Sequence, residues 1–202
     1  ADYPQSAAPL VCDACSSLLS RPLDIARHGL VYAAAQKNMG AAGLTVVIVA
    51  ESLLDRALPL TPDILDYGQI ARAGSMLNTP ATFPWYLTGL TLQWIRRNGG
   101  LTALHQRNQA KAQLLYRTLD DSDGFYRNNV QAPFRSINNV PFMLADQALQ
   151  ATFLAQAEQA GLNGLKGHAS VGGIRASLYN AVTLSAVEAL SEFMRDFARV
   201  HG

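Results

Sequence analysis

The stretch Val31-Tyr32-Ala33-Ala34-Ala35-Gln36-Lys37-Asn38-Met39-Gly40-Ala41-Ala42-Gly43-Leu44-Thr45-Val46-Val47-Ile48-Val49 decides the fold. It holds two apolar runs, Gly29 to Ala35 and the β-branched Gly43 to Val49, separated by a polar segment. Uninterrupted apolar runs of this length predict strands buried on both faces, as in sheets covered by helices. Upstream, Pro9 to Asp13 is a third, shorter apolar segment that ends in a charge. Two adjacent strands joined by a crossover would bring Asp13 and Lys37 to the same edge of one sheet. The class predicted is therefore α/β, with a mostly parallel sheet.

Outward from this stretch the chain alternates further. Leu53 to Arg56 reads as a short helix, and Thr61-Pro62-Asp63 opens another, with Thr61 as cap and Pro62 in the first turn. Gly74 to Pro84 reads as a loop. Phe83, Tyr86, Leu87, Leu90 and Trp94 recur at helical spacing, and that helix ends at Asn98-Gly99-Gly100. The glycine pair marks a domain boundary, dividing residues 1–99 from a small α+β domain over 100–202. In the second part, Leu101 to Asp120, Gln147 to Ala160 and Leu184 to Val200 read as helices. Ser185 and Glu188 have capping-box spacing. Phe125 to Asn129, Ser136 to Ala145 and Gly173 to Tyr179 read as strands. Trp85 and Trp94 fit helix packing, and His28, His105 and His201 read as surface histidines.

Composition narrows the function. Of 202 residues, 49% are hydrophobic and 15% charged, which is not the make-up of a disordered chain. A net charge of +1 leaves no basic footprint for nucleic acid. No stretch reaches the ~20 apolar residues of a membrane span. The two cysteines, Cys12 and Cys15, cannot complete a four-ligand zinc site, so no metal is expected. They read as small core or loop thiols, and the lack of a disulfide framework points to a reducing, cytoplasmic compartment.

Lys37 follows an apolar strand directly, at the kind of strand end where open α/β sheets bind ligands. On spacing alone it reads either as a solvated turn lysine or as a half-buried amine nucleophile toward an aldehyde. Asp13 reads either as a strand-end cap or as a carboxylate that keeps a pyridine nitrogen protonated. Together, an acid and an amine at one sheet edge are what pyridoxal phosphate chemistry asks of a protein.

The quoted stretch closely resembles the phosphoserine aminotransferases, a class V family of fold-type I pyridoxal-phosphate enzymes. So do Ser20-Arg21-Pro22, Asn78-Thr79-Pro80, Asn98-Gly99-Gly100, Lys166-Gly167-His168 and Gly172-Gly173-Ile174-Arg175-Ala176-Ser177-Leu178-Tyr179-Asn180. The likeness runs from about Leu10 to the end and covers only the C-terminal part of that family. It implies the remainder of a PLP-binding large domain, then a small C-terminal domain. The activity implied is amino transfer between L-glutamate and 3-phosphohydroxypyruvate in serine biosynthesis, with the related phosphorylated keto acid of pyridoxine biosynthesis as a second substrate. Lys37 matches the lysine that binds pyridoxal 5'-phosphate covalently and moves the substrate proton. Asp13 matches the partner of the pyridine nitrogen, and Gln36 a ligand of the cofactor phosphate. Asn78 and Thr79 match a pair reaching the cofactor phosphate of the neighbouring subunit, which implies a homodimer with shared sites. Arg175 matches the clamp on the substrate α-carboxylate, and His168 a residue near the substrate's distal phosphate.

This sequence departs from the family in four places. Ala169 stands where arginine is usual, weakening phosphate recognition unless another cation compensates. Asp13-Ala14-Cys15-Ser16 replaces Asp-x-Ser-Ser, putting a thiol where a hydroxyl is usual. Ala41 and Ala81 each stand where proline is common. Without the family's phosphate loop and stacking aromatic, a chain of this extent is expected to hold the cofactor poorly. It could then serve as a non-catalytic dimerising module; another class V activity such as cysteine desulfuration is a further alternative.

Overall fold

The computed structural model describes residues 6–168 and 171–202. They form two compact units, one ending at Thr102 and the other running from Ala103 to Gly202. Each is mixed α/β and carries its own three-stranded sheet.

In the first unit the strands are β1 (Val11–Asp13), β2 (Leu30–Ala34) and β3 (Thr45–Val49), in that spatial order. β1 and β2 are parallel, with Asp13 opposite Tyr32. β2 and β3 are antiparallel, with Ala34 opposite Thr45 and Leu30 opposite Val49. The expectation of a mostly parallel sheet is thus met by only one of these two ladders. The reason is chain length: a parallel return needs a crossover of about a dozen residues or more, and segment 35–44 is a compact turn too short for one. Val31 and Ala33 of β2 are buried in a small core with Ala14, Ala35 and Met39. Leu30, Tyr32 and Ala34, on the opposite face, are only partly covered, as is most of β3. These strands are therefore not buried on both faces in this chain.

Helical segments depart from the sequence reading in detail. Residues 51–53 and 63–65 are single 3-10 turns. The true helix α1 (Tyr67–Arg72) is capped by Asp66, whose carboxylate accepts from the N–H groups of Gly68 and Gln69, and not by Thr61. One oxygen, Oδ1, takes both of these orphan donors at the helix start. Helix α2 (Thr82–Arg97) starts before Pro84, so the expected loop ends earlier; proline is tolerated in a first turn, where its missing N–H has no partner to lose. The expected apolar stripe on α2 exists, but Phe83 and Tyr86 are 66% and 63% exposed, and Trp85, Leu90 and Trp94 are exposed as well. The two tryptophans therefore do not serve as packing within this chain. His28 is buried rather than at the surface, its Nδ1 lying 2.9 Å from the carbonyl of Asp24.

The second unit packs α3 (Gly100–Asp120), α4 (Gln150–Gln159) and α5 (Leu184–His201) with the antiparallel strands β4 (Tyr126–Arg127), β5 (Asn139–Leu144) and β6 (Ile174–Ser177). Alternation in β5 and β6 buries Val140, Phe142, Leu144, Ile174 and Ala176. Phe153 is the hub, in edge-on contact with Tyr126, Phe142, Phe193 and Phe197 at centroid distances of 5.1–6.1 Å. Such pairs add about 0.5–1.5 kcal/mol each beyond area burial. Helix α5 is capped by Thr183, which accepts from the Ala186 N–H; Ser185 lies inside the first turn.

Lys111 of α3 is buried, and its ammonium donates to the carbonyls of Leu178, Tyr179 and Val182 at 2.9–3.1 Å. It thereby pins the turn that follows β6. Burial pushes this amine down to about 8. Lys111→Met should destabilise the chain by about 2 kcal/mol at neutral pH, because buried carbonyls lose their donor. Between pH 8 and the ordinary lysine range near 10.5 the folded chain has released a proton that the unfolded chain still holds. Stability from this group therefore rises with pH across that window. Chemical denaturation of both proteins from pH 7 to 10 checks this: the gap between native and variant should widen, and a constant gap would contradict it.

Candidate functional site

The parallel pairing of β1 with β2 sets the geometry. Both strands run toward the same sheet end; Asp13 closes β1, and Lys37 follows β2 by three residues. After Ala34 the chain makes one tight turn, with Ala35 O accepting from the N–H groups of Met39 and Gly40 at 3.2 and 2.7 Å. Two residues of that turn face inward. Met39 joins the small core, and Asn38 is buried with its amide donating to Ser16 O at 3.3 Å. Their inward placement leaves Gln36 and Lys37 exposed, so Lys37 is not the half-buried amine that one reading of the sequence expected. The hydrogen bond from Asn38 ties the lysine turn to the loop just after Asp13.

Helix α2 supports the same turn from another side. A Cβ placed on Gly40 would lie 3.1 Å from Thr88 Oγ1 and 3.3 Å from Thr88 N, so glycine permits this close approach. Gly43, with φ of +105°, adopts a conformation that L residues avoid.

Around Asp13 the structure places Cys15 and Lys37, and with them Tyr32, which the sequence reading did not single out. The Cys15 thiol and backbone N–H, then the Tyr32 hydroxyl and the Lys37 ammonium, hold the Asp13 carboxyl below the ordinary carboxylate range. In turn the carboxylate pushes the Tyr32 phenol up. Asp13 accordingly stays ionised at neutral pH, a negative charge at the sheet end that Lys37 also follows. The Asx-type spacing of Asp13 and Cys15 was a legible signal, since Asp side chains bond backbone two residues on. Tyr32 could be found only from strand register.

Asn78 and Thr79 lie in the exposed segment leading into α2, and Asn78 Nδ2 donates to Thr79 O at 3.1 Å. His168 and Arg175 belong to the second unit. There, Gly167 N donates to Gly173 O at 2.9 Å, Arg175 N to Leu165 O at 2.8 Å, and the His168 carbonyl accepts from Val171 and Gly172 N–H. One hairpin-like segment thus carries both residues, with His168 exposed and Arg175 on β6. The Arg175 Nε is buried with no hydrogen-bond partner among the described residues. A buried guanidinium donor left without an acceptor fits an anionic ligand. Ala169 lies outside the described residues.

Among the described residues no three His, Cys, Asp or Glu side chains gather as a metal site would require. Both cysteines are free thiols. No helix among the described residues is long and apolar enough to cross a membrane.

The class-V aminotransferase family matches residues 3–190. The chain belongs to that family. A phosphoserine aminotransferase of Acinetobacter baumannii is 55% identical over 202 residues, which is all of this chain and 56% of the relative. One from Pseudomonas aeruginosa is 57% identical over 194 residues, or 96% of this chain and 54% of the relative. The solved phosphoserine aminotransferase of Bacillus circulans subsp. alkalophilus is 46% identical and superposes with a TM-score of 0.93, covering 98% of this chain and 55% of that structure. The PLP-bound enzyme of Trichomonas vaginalis is 38% identical with a TM-score of 0.90, covering 96% of this chain and 55% of that structure. This class-V chain therefore spans about half the length of the relatives it matches, and it follows their fold throughout that span.

Proposed function

We propose that this chain forms the lysine-bearing part of a pyridoxal-phosphate-dependent phosphoserine transaminase. The reaction would move an amino group between L-glutamate and 3-phosphohydroxypyruvate in serine biosynthesis, with the corresponding pyridoxine-pathway keto acid as a second acceptor. The observation that carries this reading is the Asp13–Lys37 pair at one sheet end, with the carboxylate held ionised beside the amine. The donor set fits the cofactor: an acceptor for a ring N–H, a primary amine for an aldehyde, and an amide from Gln36 for a phosphate. The 46–57% identity to phosphoserine aminotransferases supports the same assignment.

When bound, pyridoxal phosphate supplies the electron sink that lets an amino acid lose its Cα proton. The rest falls to this chain. Asp13 holds a proton at the ring nitrogen. Lys37 Nζ takes the proton from substrate Cα and returns it during transfer. Gln36 binds the cofactor phosphate, and Asn78 with Thr79 binds that of a neighbouring copy. Arg175 grips the α-carboxylate of glutamate through two parallel N–H donors, and His168 stands near the distal phosphate of the second substrate. The exposed aromatic face of α2 supports a homodimer, since a contiguous apolar surface of that kind is the mark of an interface. Two free thiols suit a reducing cytoplasm.

The testing experiment is a coupled assay of glutamate-dependent conversion of 3-phosphohydroxypyruvate with added pyridoxal phosphate. Transfer should depend on both the cofactor and the phosphorylated acceptor. A protein that binds the cofactor tightly and still transfers to unphosphorylated keto acids alone would overturn the substrate assignment. One that forms dimers and holds no cofactor would favour the dimerising module.

A further inference from the structure

Strand β1 ends abruptly, and the way it ends involves Cys15. The Ala14 N–H still pairs with Tyr32 O at 2.8 Å. The Ala14 carbonyl does not continue the ladder; it accepts from the Ser17 and Leu18 N–H groups at 3.0 and 2.8 Å as the chain curls away. That leaves the Ala34 N–H, two residues along β2, without the acceptor a longer β1 would have offered. Cys15 Sγ takes it at 3.2 Å. The backbone N–H of the same cysteine donates to Asp13 Oδ1 at 2.9 Å, so one residue holds both the β2 amide and the carboxylate. Tyr32 is the register partner of Asp13 on β2, and its phenol helps to hold that carboxyl low. Asp13 is thus tied to the end of β2 through Cys15, with Tyr32 opposite it in the ladder, and not merely left at the tip of β1.

We propose that Cys15 and Tyr32 are positioning residues for Asp13, fixing its carboxylate against the end of β2 where a ring N–H donor would meet it. This rests on the role proposed above for Asp13. A carboxylate on a free strand end rotates about two side-chain torsions; donors fixed on a neighbouring strand remove that freedom before the ligand arrives. Cys15 Sγ accepts from the Ala34 N–H while its own backbone N–H holds the carboxylate, so a hydroxyl could replace its thiol as acceptor, whereas a methyl group could not.

The test uses Cys15→Ala, Cys15→Ser and Tyr32→Phe with two readouts. The first is the titration midpoint of the Asp13 carboxyl, followed by carbon NMR in the cofactor-free chain. The midpoint should rise in Cys15→Ala and Tyr32→Phe and return toward native in Cys15→Ser. The second is the dissociation constant for pyridoxal phosphate, read by absorbance titration. It should weaken about tenfold in Cys15→Ala and stay within about threefold of native in Cys15→Ser. A merely structural thiol would shift the thermal midpoint and leave the carboxyl titration where it was. Native values of both readouts in Cys15→Ala would overturn the proposal. Asp13→Asn separates the two claims. If it binds the cofactor like the native chain, the ring-nitrogen role of Asp13 falls, and the carboxyl midpoint in Cys15→Ala alone decides whether the thiol holds that carboxylate.

Discussion

Lys37→Ala is expected to lower amino transfer by about three decades or more while leaving the fold intact. A positioned acid–base group contributes about 10²–10⁴ in rate, and under the proposed function the same amine would also provide covalent attachment. The fold should survive because the turn is held by its neighbours. Met39 is buried, Asn38 donates to Ser16 O, and Gly40 packs against α2, while the lysine side chain itself is exposed. Exposed substitutions of this sort shift stability by about 0.5 kcal/mol or less. Borohydride treatment of the cofactor-loaded native protein should leave a stable adduct on the peptide that carries Lys37, read by mass. Lys37→Arg should behave like the alanine variant, since guanidinium keeps the charge and cannot serve as the attacking amine. An adduct of native yield in Lys37→Ala would remove the amine from the mechanism, and with it the assignment.

That so much of this pair was legible in the sequence has a local cause. The apolar runs before Asp13 and Lys37 are continuous and break at polar residues, so both strand ends could be placed. What stayed hidden was whatever depends on a second segment. The antiparallel return of β3 was concealed because a run of valines and isoleucines has no direction; only the tight connection after β2 reveals it. Tyr32 sits in the middle of an apolar run and gains its meaning from lying opposite Asp13. Cys15 read as a small hydrophobe because its partner on β2, the Ala34 N–H, becomes a neighbour only after pairing. Periodicity located the stripe on α2 and could not say what covers it; within this chain Phe83, Tyr86 and Trp94 are exposed. His28 was misplaced for a related reason: its burial follows from a 3-10 turn over 25–27 that no pattern announced. Caps erred by a few residues, Thr183 for Ser185 and Asp66 for Thr61, because several capable side chains stood near each helix start.

Arg175→Lys is expected to raise the KM for glutamate about 10- to 100-fold and to leave cofactor affinity within about threefold of native. The strand fixes the position: Arg175 pairs with Pro141 in the ladder, its N–H donates to Leu165 O, and the flanking Ile174 and Ala176 are buried. A lysine there keeps the backbone and the charge. It loses the planar fork, so one ammonium must replace two parallel donors to a carboxylate. The buried Nε has no acceptor among the described residues, which leaves that donor available to a ligand. Its removal should therefore cost substrate binding rather than folding. Steady-state kinetics at varied glutamate, beside cofactor titration and thermal denaturation, separate the possibilities. A selective rise in KM supports the clamp. Parallel losses in glutamate use, cofactor affinity and thermal stability would instead make Arg175 a part of the β6 framework, and the carboxylate would need another cation.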